Sequence, residues 1–405
     1  MKSVQLLFAW VIISISLVAC GNGSSSSNIV SYNEGNLRSS ELLTSYSSQG
    51  IKIPNADVKY NAKVYRLVYK TKNTDGNLID VSGLVAVPQK SSQLKSPTIL
   101  FYHGTIYENK YAPSENYSKT SSWVLPAYLG FITIAPDYIG YGESLGVLHP
   151  YANAKVTAST SIDLLRAAKI LLKKENVQSN GQLFLGGYSQ GGGAAIATQK
   201  MIETEFSDEF TVTATSAGAG AYAISKELER QVQLVADNYE AATIVRPSNI
   251  GLILKAMNDA YNLNMLNDIF KNPYASIVDT IYDGSHSSTY IDGKLTHKAS
   301  DLLKLDYIQK LLNDEEPTVI SAFEDNDVFD WKPKAPTRLF HGVNDDWVPY
   351  EQSQIAFDTM TANGATNVQL VDCVTAGNIP TNHANCFIPY LFSSYKFFLL
   401  YANDL

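Results

Sequence analysis

The stretch Gly187-Tyr-Ser-Gln-Gly191 constrains this 405-residue chain more than any other. It follows an apolar, strand-like run, Leu183-Phe-Leu-Gly-Gly-Tyr188. It leads into the small residues Gly191-Gly-Gly-Ala-Ala195 and a helix predicted over Ala194–Met201. A serine between strand and helix sits on a sharp turn. Both flanking positions must be small, because the turn brings backbones close and holds the serine at strained dihedrals. The helix N-terminus beneath it favours developing negative charge. A second match to the pattern, Gly142-Glu-Ser-Leu-Gly146, lacks this setting. It follows a Gly-Tyr-Gly loop and runs into His149-Pro150, which cannot continue a helix. Ser189 is therefore the candidate nucleophile, and Ser144 is a chance match in a loop.

Such a turn needs a buried strand below it and a helix after it, and the chain supplies both repeatedly. The β-branched and aromatic runs Ala62–Tyr69 and Ile79–Val87 read as strands. Pro97–Tyr102, Phe131–Ala135 and Leu183–Tyr188 are short and almost wholly apolar, as strands buried on both faces of a parallel sheet are. Thr211–Ser216, Thr337–Phe340 and Val368–Val371 complete the strand set. Leu165, Ala168 and Leu172 form a helical stripe within Leu164–Leu172, and Asn385–Tyr401 reads as a closing helix. Strands alternating with helices imply an α/β fold with crossover connections. One interval is too long for a crossover. More than 110 residues separate the strands near Thr215 and Leu339, where a short helix would do. Helical patterns at Ser225–Asn238, Asn249–Phe270 and Ser300–Asn313 fill it. The expected organisation is a core of residues 31–221 and 336–405, with 222–335 inserted as a helical cap above the sheet.

A serine nucleophile needs a base, and the base needs an orienting carboxylate. In the α/β-hydrolases, which this strand–serine–helix turn resembles, the chain order is Ser, acid, His. Of the six histidines, His103, His149, His286, His297, His341 and His383, only the last two follow Ser189 and sit just after predicted sheet strands. His341 opens His341-Gly-Val-Asn-Asp-Asp-Trp-Val-Pro349 directly at a strand end. That leaves His383, in Thr381-Asn-His-Ala-Asn-Cys386, as the base. Asp345 is the preferred acid, its neighbour Asp346 the alternative, and Asp372 a weaker candidate one strand later. An oxyanion needs two backbone N–H donors. Gln190, right after the nucleophile, offers one. Thr105, in the loop Tyr102-His-Gly-Thr105, offers the other, which leaves His103 a structural role.

The N-terminus reads as an address. Lys2 precedes an apolar run, Val4–Val18, too short to span a bilayer comfortably. Leu17-Val-Ala-Cys-Gly21 follows, so residues 1–19 form a secretory signal. A cysteine just after Leu-x-Ala resembles the bacterial lipoprotein processing box, making Cys20 the acylated first residue of a membrane-anchored envelope protein. Residues 20–30, with four consecutive serines, are a flexible tether. Thiols oxidise outside the cytoplasm, so Cys373 and Cys386 are natural disulfide partners. With no C-x-x-C pair among three cysteines, zinc ribbons and thioredoxin-type sites are excluded. The formal charge of −8 argues against a nucleic-acid partner. Nothing in the sequence fixes an oligomeric state.

Taken with Pro136-Asp-Tyr-Ile-Gly-Tyr-Gly142, His149-Pro-Tyr151, Val348-Pro349 and Asn382-His383, these motifs span about residues 95–400. In this order they resemble the α/β-hydrolase superfamily, and more narrowly the secretory lipases and related bacterial lipoprotein esterases. The resemblance implies hydrolysis of small-molecule or lipid esters through an acyl-enzyme, with no metal or organic cofactor. None of the motifs that carry the resemblance falls in residues 222–335, so acyl-chain preference stays open. A serine peptidase of the same fold would share the triad, but residues 28–95 leave no room for the propeller or large N-terminal domain of oligopeptidases. A non-catalytic binding lipoprotein would not need a complete Ser/Asp/His set with both oxyanion positions.

Overall fold

The computed structural model describes residues 34–54, 56–375 and 379–405. The signal over residues 1–19, Cys20 and the tether over 20–30 lie outside them. Among the described residues nine strands form one mixed sheet: β1 (Leu37–Tyr46), β2 (Ala62–Lys72), β3 (Leu78–Pro88), β4 (Lys95–Tyr102), β5 (Ile132–Pro136), β6 (Gln178–Tyr188), β7 (Val212–Gly218), β8 (Thr337–His341) and β9 (Val368–Asp372). Their order is β1-β2-β3-β5-β4-β6-β7-β8-β9. The β1–β2, β2–β3 and β3–β5 pairs are antiparallel. From β5 onward every pair is parallel. The apolar runs thus form the α/β sheet expected of them, in the architecture that the resemblance to the α/β-hydrolases implies.

The helices are α1 (Leu125–Leu129), α2 (Ala154–Lys174), α3 (Gln190–Glu205), α4 (Ile224–Asp237), α5 (Pro247–Tyr261), α6 (Leu266–Ile269), α7 (Tyr274–Thr280), α8 (Ser288–Lys294), α9 (Ala299–Leu302), α10 (Leu305–Leu312), α11 (Pro317–Glu324), α12 (Glu351–Ala362) and α13 (His383–Leu399). Side chains alternate across a strand, so β4 serves two cores. Leu100 and Tyr102 pack with α2, α3 and α12 through Leu164, Ala195 and Met360. Ile99 and Phe101 pack with α1 and α13 through Leu129, Tyr390 and Phe398. Both faces of the central strands are therefore dry, which is why their sequences run apolar rather than alternating.

Helices α4–α11 all fall between β7 and β8 and enclose a core of their own, including Met257, Phe270, Val278 and Ile308. Two patterns read as single helices are broken here. The Asn249–Phe270 pattern stops at Asn262, which caps α5 in the left-handed region at φ 53°, while the Asn258 side chain accepts the Met265 N–H. Asparagine tolerates that backbone better than most residues. The Ser300–Asn313 pattern is interrupted at Leu303, which is extended and bridges to Phe270. Backbone bonds from Lys271 to Leu302 and from Lys304 to Ile269 hold that bridge. A tertiary pairing has overridden local helical periodicity.

Candidate active site

Ser189 follows the last residue of β6 and caps α3, with φ 61° and ψ −125°. A non-glycine residue at positive φ is strained, and its surroundings hold it there. Its N–H donates to Gly218 O at 2.8 Å, and its carbonyl accepts from Gly192 N at 2.8 Å. A Cβ on Gly187 would lie 2.2 Å from Gly191 O, and one on Gly191 would lie 2.4 Å from Tyr102 O. Those approaches leave glycine as the residue that fits on either side of the turn. Ser144, by contrast, sits buried in a one-turn 3-10 segment. Its hydroxyl accepts from Gly140 N at 2.9 Å and donates to Tyr141 O at 3.0 Å, so it is spent on its own loop.

His383 is the first residue of α13, capped by Asn382, whose side chain accepts from Asn385 N. Its Nδ1 lies 2.7 Å from Asp345 Oδ2. A ring nitrogen facing a carboxylate carries the proton, which leaves the Nε2 lone pair available. Asp345 stands in the loop after β8. Its Oδ1 accepts from Trp347 N at 2.9 Å and Val348 N at 2.8 Å. Burial pushes its carboxyl up, but bonds from His341 and His383, the His383 charge and the Val348 N–H outweigh that and hold it well below the usual carboxylate range. Asp346 does not reach the imidazole ring within hydrogen-bond distance; its Oδ1 accepts the His383 backbone N–H at 3.2 Å. Asp372 accepts instead from Tyr350 OH at 2.6 Å. The His383 ring stacks on Trp347 (4.8 Å between centroids, 28°) and tilts against Tyr188 at 5.0 Å, whose hydroxyl donates to His383 O. A disulfide joins Cys373, just past β9, to Cys386, one turn into α13.

Thr105 and Gln190 lie on either side of the nucleophile in chain order, and both line the cavity into which Ser189 and His383 open. Among the described residues neither backbone N–H donates to a protein acceptor. The Thr105 hydroxyl is 2.9 Å from Tyr151 OH. Gln190 holds a further contact that the sequence did not suggest: its side-chain amide donates to His149 Nε2 at 2.7 Å, while His149 Nδ1–H donates to Ile139 O at 2.8 Å. Burial pushes His149 down to about 4, so it stays neutral. His103 is likewise pushed down to about 4 by burial, with Nδ1 2.7 Å from Gly104 O. Both histidines brace loops. The pairing of His149 with the residue after the nucleophile has one sequence signal, the His149-Pro-Tyr151 motif.

The cavity encloses about 1230 Å³. Its lining includes Ser189, His383, Thr105 and Trp347. The β7–β8 helical segment adds mainly apolar side chains, among them Leu228, Val232, Leu254, Leu311 and Phe323. Its size exceeds the ~300–1,000 Å³ usual for small-molecule pockets. No group of three or more His, Cys, Asp or Glu side chains among the described residues is placed to hold a metal ion.

The family model for secretory lipases matches residues 123–386, which is 264 of the 405 residues. The chain belongs to the secretory lipase family. No curated protein sequence matches it. Among solved structures, this family member is similar to the rice cell wall degrading esterase LipA from Xanthomonas oryzae, with 25% identity, 91% of this chain and 97% of that one covered, and a TM-score of 0.74. A Legionella pneumophila protein shares the fold at 24% identity, 90% and 98% coverage and a TM-score of 0.77. Candida antarctica lipase A in its closed state shares it at 17% identity, 92% and 83% coverage and a TM-score of 0.63. The sheet order and the family together make this an α/β-hydrolase of the lipase and esterase type. Among the described residues no helix is long and apolar enough to cross a membrane.

Proposed function

We propose that the protein hydrolyses carboxylic esters of lipids or small molecules through an acyl-enzyme on Ser189. His383 Nε2 takes the Ser189 proton as Oγ attacks the ester carbonyl. Asp345 keeps the imidazole proton on Nδ1 and stabilises the imidazolium that forms. The N–H groups of Thr105 and Gln190 bind the tetrahedral oxyanion. His383 then passes its proton to the departing alcohol. In the second half His383 takes a proton from water, which attacks the acyl-enzyme, releases the acid and restores Ser189. The observation that carries this reading is the single cavity onto which Ser189, His383 and the two unengaged amides open, with Asp345 behind the histidine.

Residues 222–335 act as the cap, their apolar wall receiving the acyl chain. The chain is exported by the signal over residues 1–19 and anchored through an acylated Cys20, with residues 20–30 as tether. The test is hydrolysis of p-nitrophenyl esters from acetate to palmitate by the full-length protein in detergent, beside Ser189→Ala. Removing the serine lowers kcat by about 10⁴–10⁶, as in comparable triads. Unchanged activity in Ser189→Ala would refute the mechanism. Incorporation of a labelled fatty acid in cells, lost in Cys20→Ser, tests the anchor.

A further inference from the structure

Asp345 Oδ2 faces a second imidazole. His341, the last residue of β8, places Nε2 3.3 Å from that oxygen and 3.0 Å from Val348 O. Two acceptors on one ring nitrogen require that nitrogen to carry the proton. The other nitrogen, Nδ1, lies 2.7 Å from Ser353 Oγ, on α12. A hydroxyl donating to Nδ1 locks the neutral tautomer with hydrogen on Nε2. The side chains of His341 and Asp345 are both fully buried, so no water competes for these bonds. His341 is not part of the cavity wall. It meets the site at second hand, through the lining residues Asp345, Val348 and Tyr350.

We infer that His341 is a positioning residue for the proposed triad: its Nε2–H is a second donor on Asp345 Oδ2, fixing where that oxygen points and limiting how much proton affinity the Asp345–His383 pair acquires. This rests on the acyl-enzyme reading above. The sign follows from simple electrostatics. A neutral donor stabilises a carboxylate and shares the charge of the oxygen that His383 uses. Removing it strengthens the pull of Asp345 on the imidazolium and makes the pair easier to protonate. The acid limb of kcat/KM, which reports the base of the free enzyme, then moves to higher pH.

An amide scan separates this role from simple packing. The Asn side-chain amide superposes on Nδ1, and that of Gln reaches Nε2. His341→Asn keeps a polar partner for Ser353 and loses the bond to Asp345. His341→Gln keeps the bond to Asp345. The other ionisable or charged groups facing the pair are Tyr188, Asp346, Tyr350, Asp372 and, across Trp347, Arg246. They are common to both variants. In His341→Asn the acid limb of p-nitrophenyl butyrate hydrolysis moves up by about one pH unit, the equivalent of ~1.4 kcal/mol. Its kcat falls about tenfold at pH 7 while KM holds. In His341→Gln the limb returns to within about 0.3 of wild type, since its donor again meets the oxygen. Equal shifts in the two variants, or no shift in either, overturn the inference. Should His341→Asn fail to fold, His341→Leu serves instead. It likewise removes the N–H beside Asp345 Oδ2 while filling the space of the ring, and an unmoved limb there overturns the inference too. A parallel Ser189→Ala sample that stays active would sink the acyl-enzyme reading itself, which keeps the two failures apart.

Discussion

Replacing Asp345 with asparagine tests the site most sharply, because every neighbour of that carboxylate is a donor. Oδ1 receives Trp347 N and Val348 N, and Oδ2 receives His383 Nδ1 and lies 3.3 Å from His341 Nε2. An asparagine side chain offers one acceptor and one NH₂. Whichever way it turns, the NH₂ meets two N–H groups. The two backbone donors cannot change, so the amide oxygen stays with them and the NH₂ faces the histidines. His341 keeps its Nε2 proton on Val348 O, so the asparagine NH₂ that faces it finds no acceptor there and is left unsatisfied in a buried site, at about 1–3 kcal/mol. His383 can adapt only by moving its proton to Nε2. It then points N–H at Ser189 and is no longer a base. A misplaced tautomer of this kind costs about 10⁴ in kcat in comparable triads, or ~5.4 kcal/mol of transition-state stabilisation. Asp345→Ala removes the carboxylate without forcing the tautomer, so the near-isosteric Asn is at least as damaging as Ala. Asp346→Asn keeps its acceptor for the His383 N–H and stays within about threefold of wild type, a surface-scale effect. The assay is kcat for p-nitrophenyl butyrate from pH 5 to 10, beside urea denaturation of each variant. An Asp345→Asn enzyme more active than Asp345→Ala, or an Asp346→Asn enzyme as impaired as either, would refute the assignment of the acid and the tautomer argument together.

Ser144→Ala retains wild-type kcat/KM within about twofold, because that hydroxyl bonds only its own loop; a loss of tenfold or more in the same assay would reopen the second serine motif. Cys373→Ala/Cys386→Ala removes a bridge spanning a sequence separation of 13, and urea denaturation shows stability lower by about 3 kcal/mol in the loop-entropy picture. Matching denaturation midpoints with and without the bridge would contradict it. His103 and His149, pushed down to about 4 by burial, are neutral in the folded chain while their unfolded counterparts protonate near 6.5. The unfolded state binds more protons between those values, so stability rises with pH across that window. Each histidine contributes on the order of 3 kcal/mol, fully present above about pH 6.5 and lost by about pH 4. Denaturation midpoints measured at pH 4.5 and 7 check the sign, and a lower midpoint at pH 7 would reverse it.

What could be read from the sequence and what could not divide along a physical line. The parallel strands announce themselves because both faces are buried, and the serine turn does so because only glycine fits on either side of it. β1, by contrast, is an edge strand with no fully buried residue, so Leu37–Tyr46 carries too little apolar pattern to stand out. The helix over Glu351–Ala362 is equally faint in the sequence, since Gln352 and Ser353 share its buried face with Ala356 and Met360. Their polarity has a use: Gln352 caps the Tyr222 and Ala223 N–H groups, and Ser353 holds His341. Adjacent aspartates defeat sequence reasoning differently. Spacing from His341 favours Asp345 without excluding Asp346, and side-chain contact falls to whichever carboxylate folds back on its own loop. Asp345 does so through the N–H groups two and three residues on, a habit of aspartate in turns. That local bond turns its second oxygen inward to His383, 38 residues away in the chain, and sends Asp346 to the backbone of the same histidine. The geometry of the proposed triad is thus assembled from short-range caps: Asn382 on α13, Asp345 on its own turn, and the glycine-flanked Ser189 on α3. The sheet need only bring three such self-built ends to one edge, which the parallel order β6-β7-β8-β9 does by placing the C-terminal ends of its strands together.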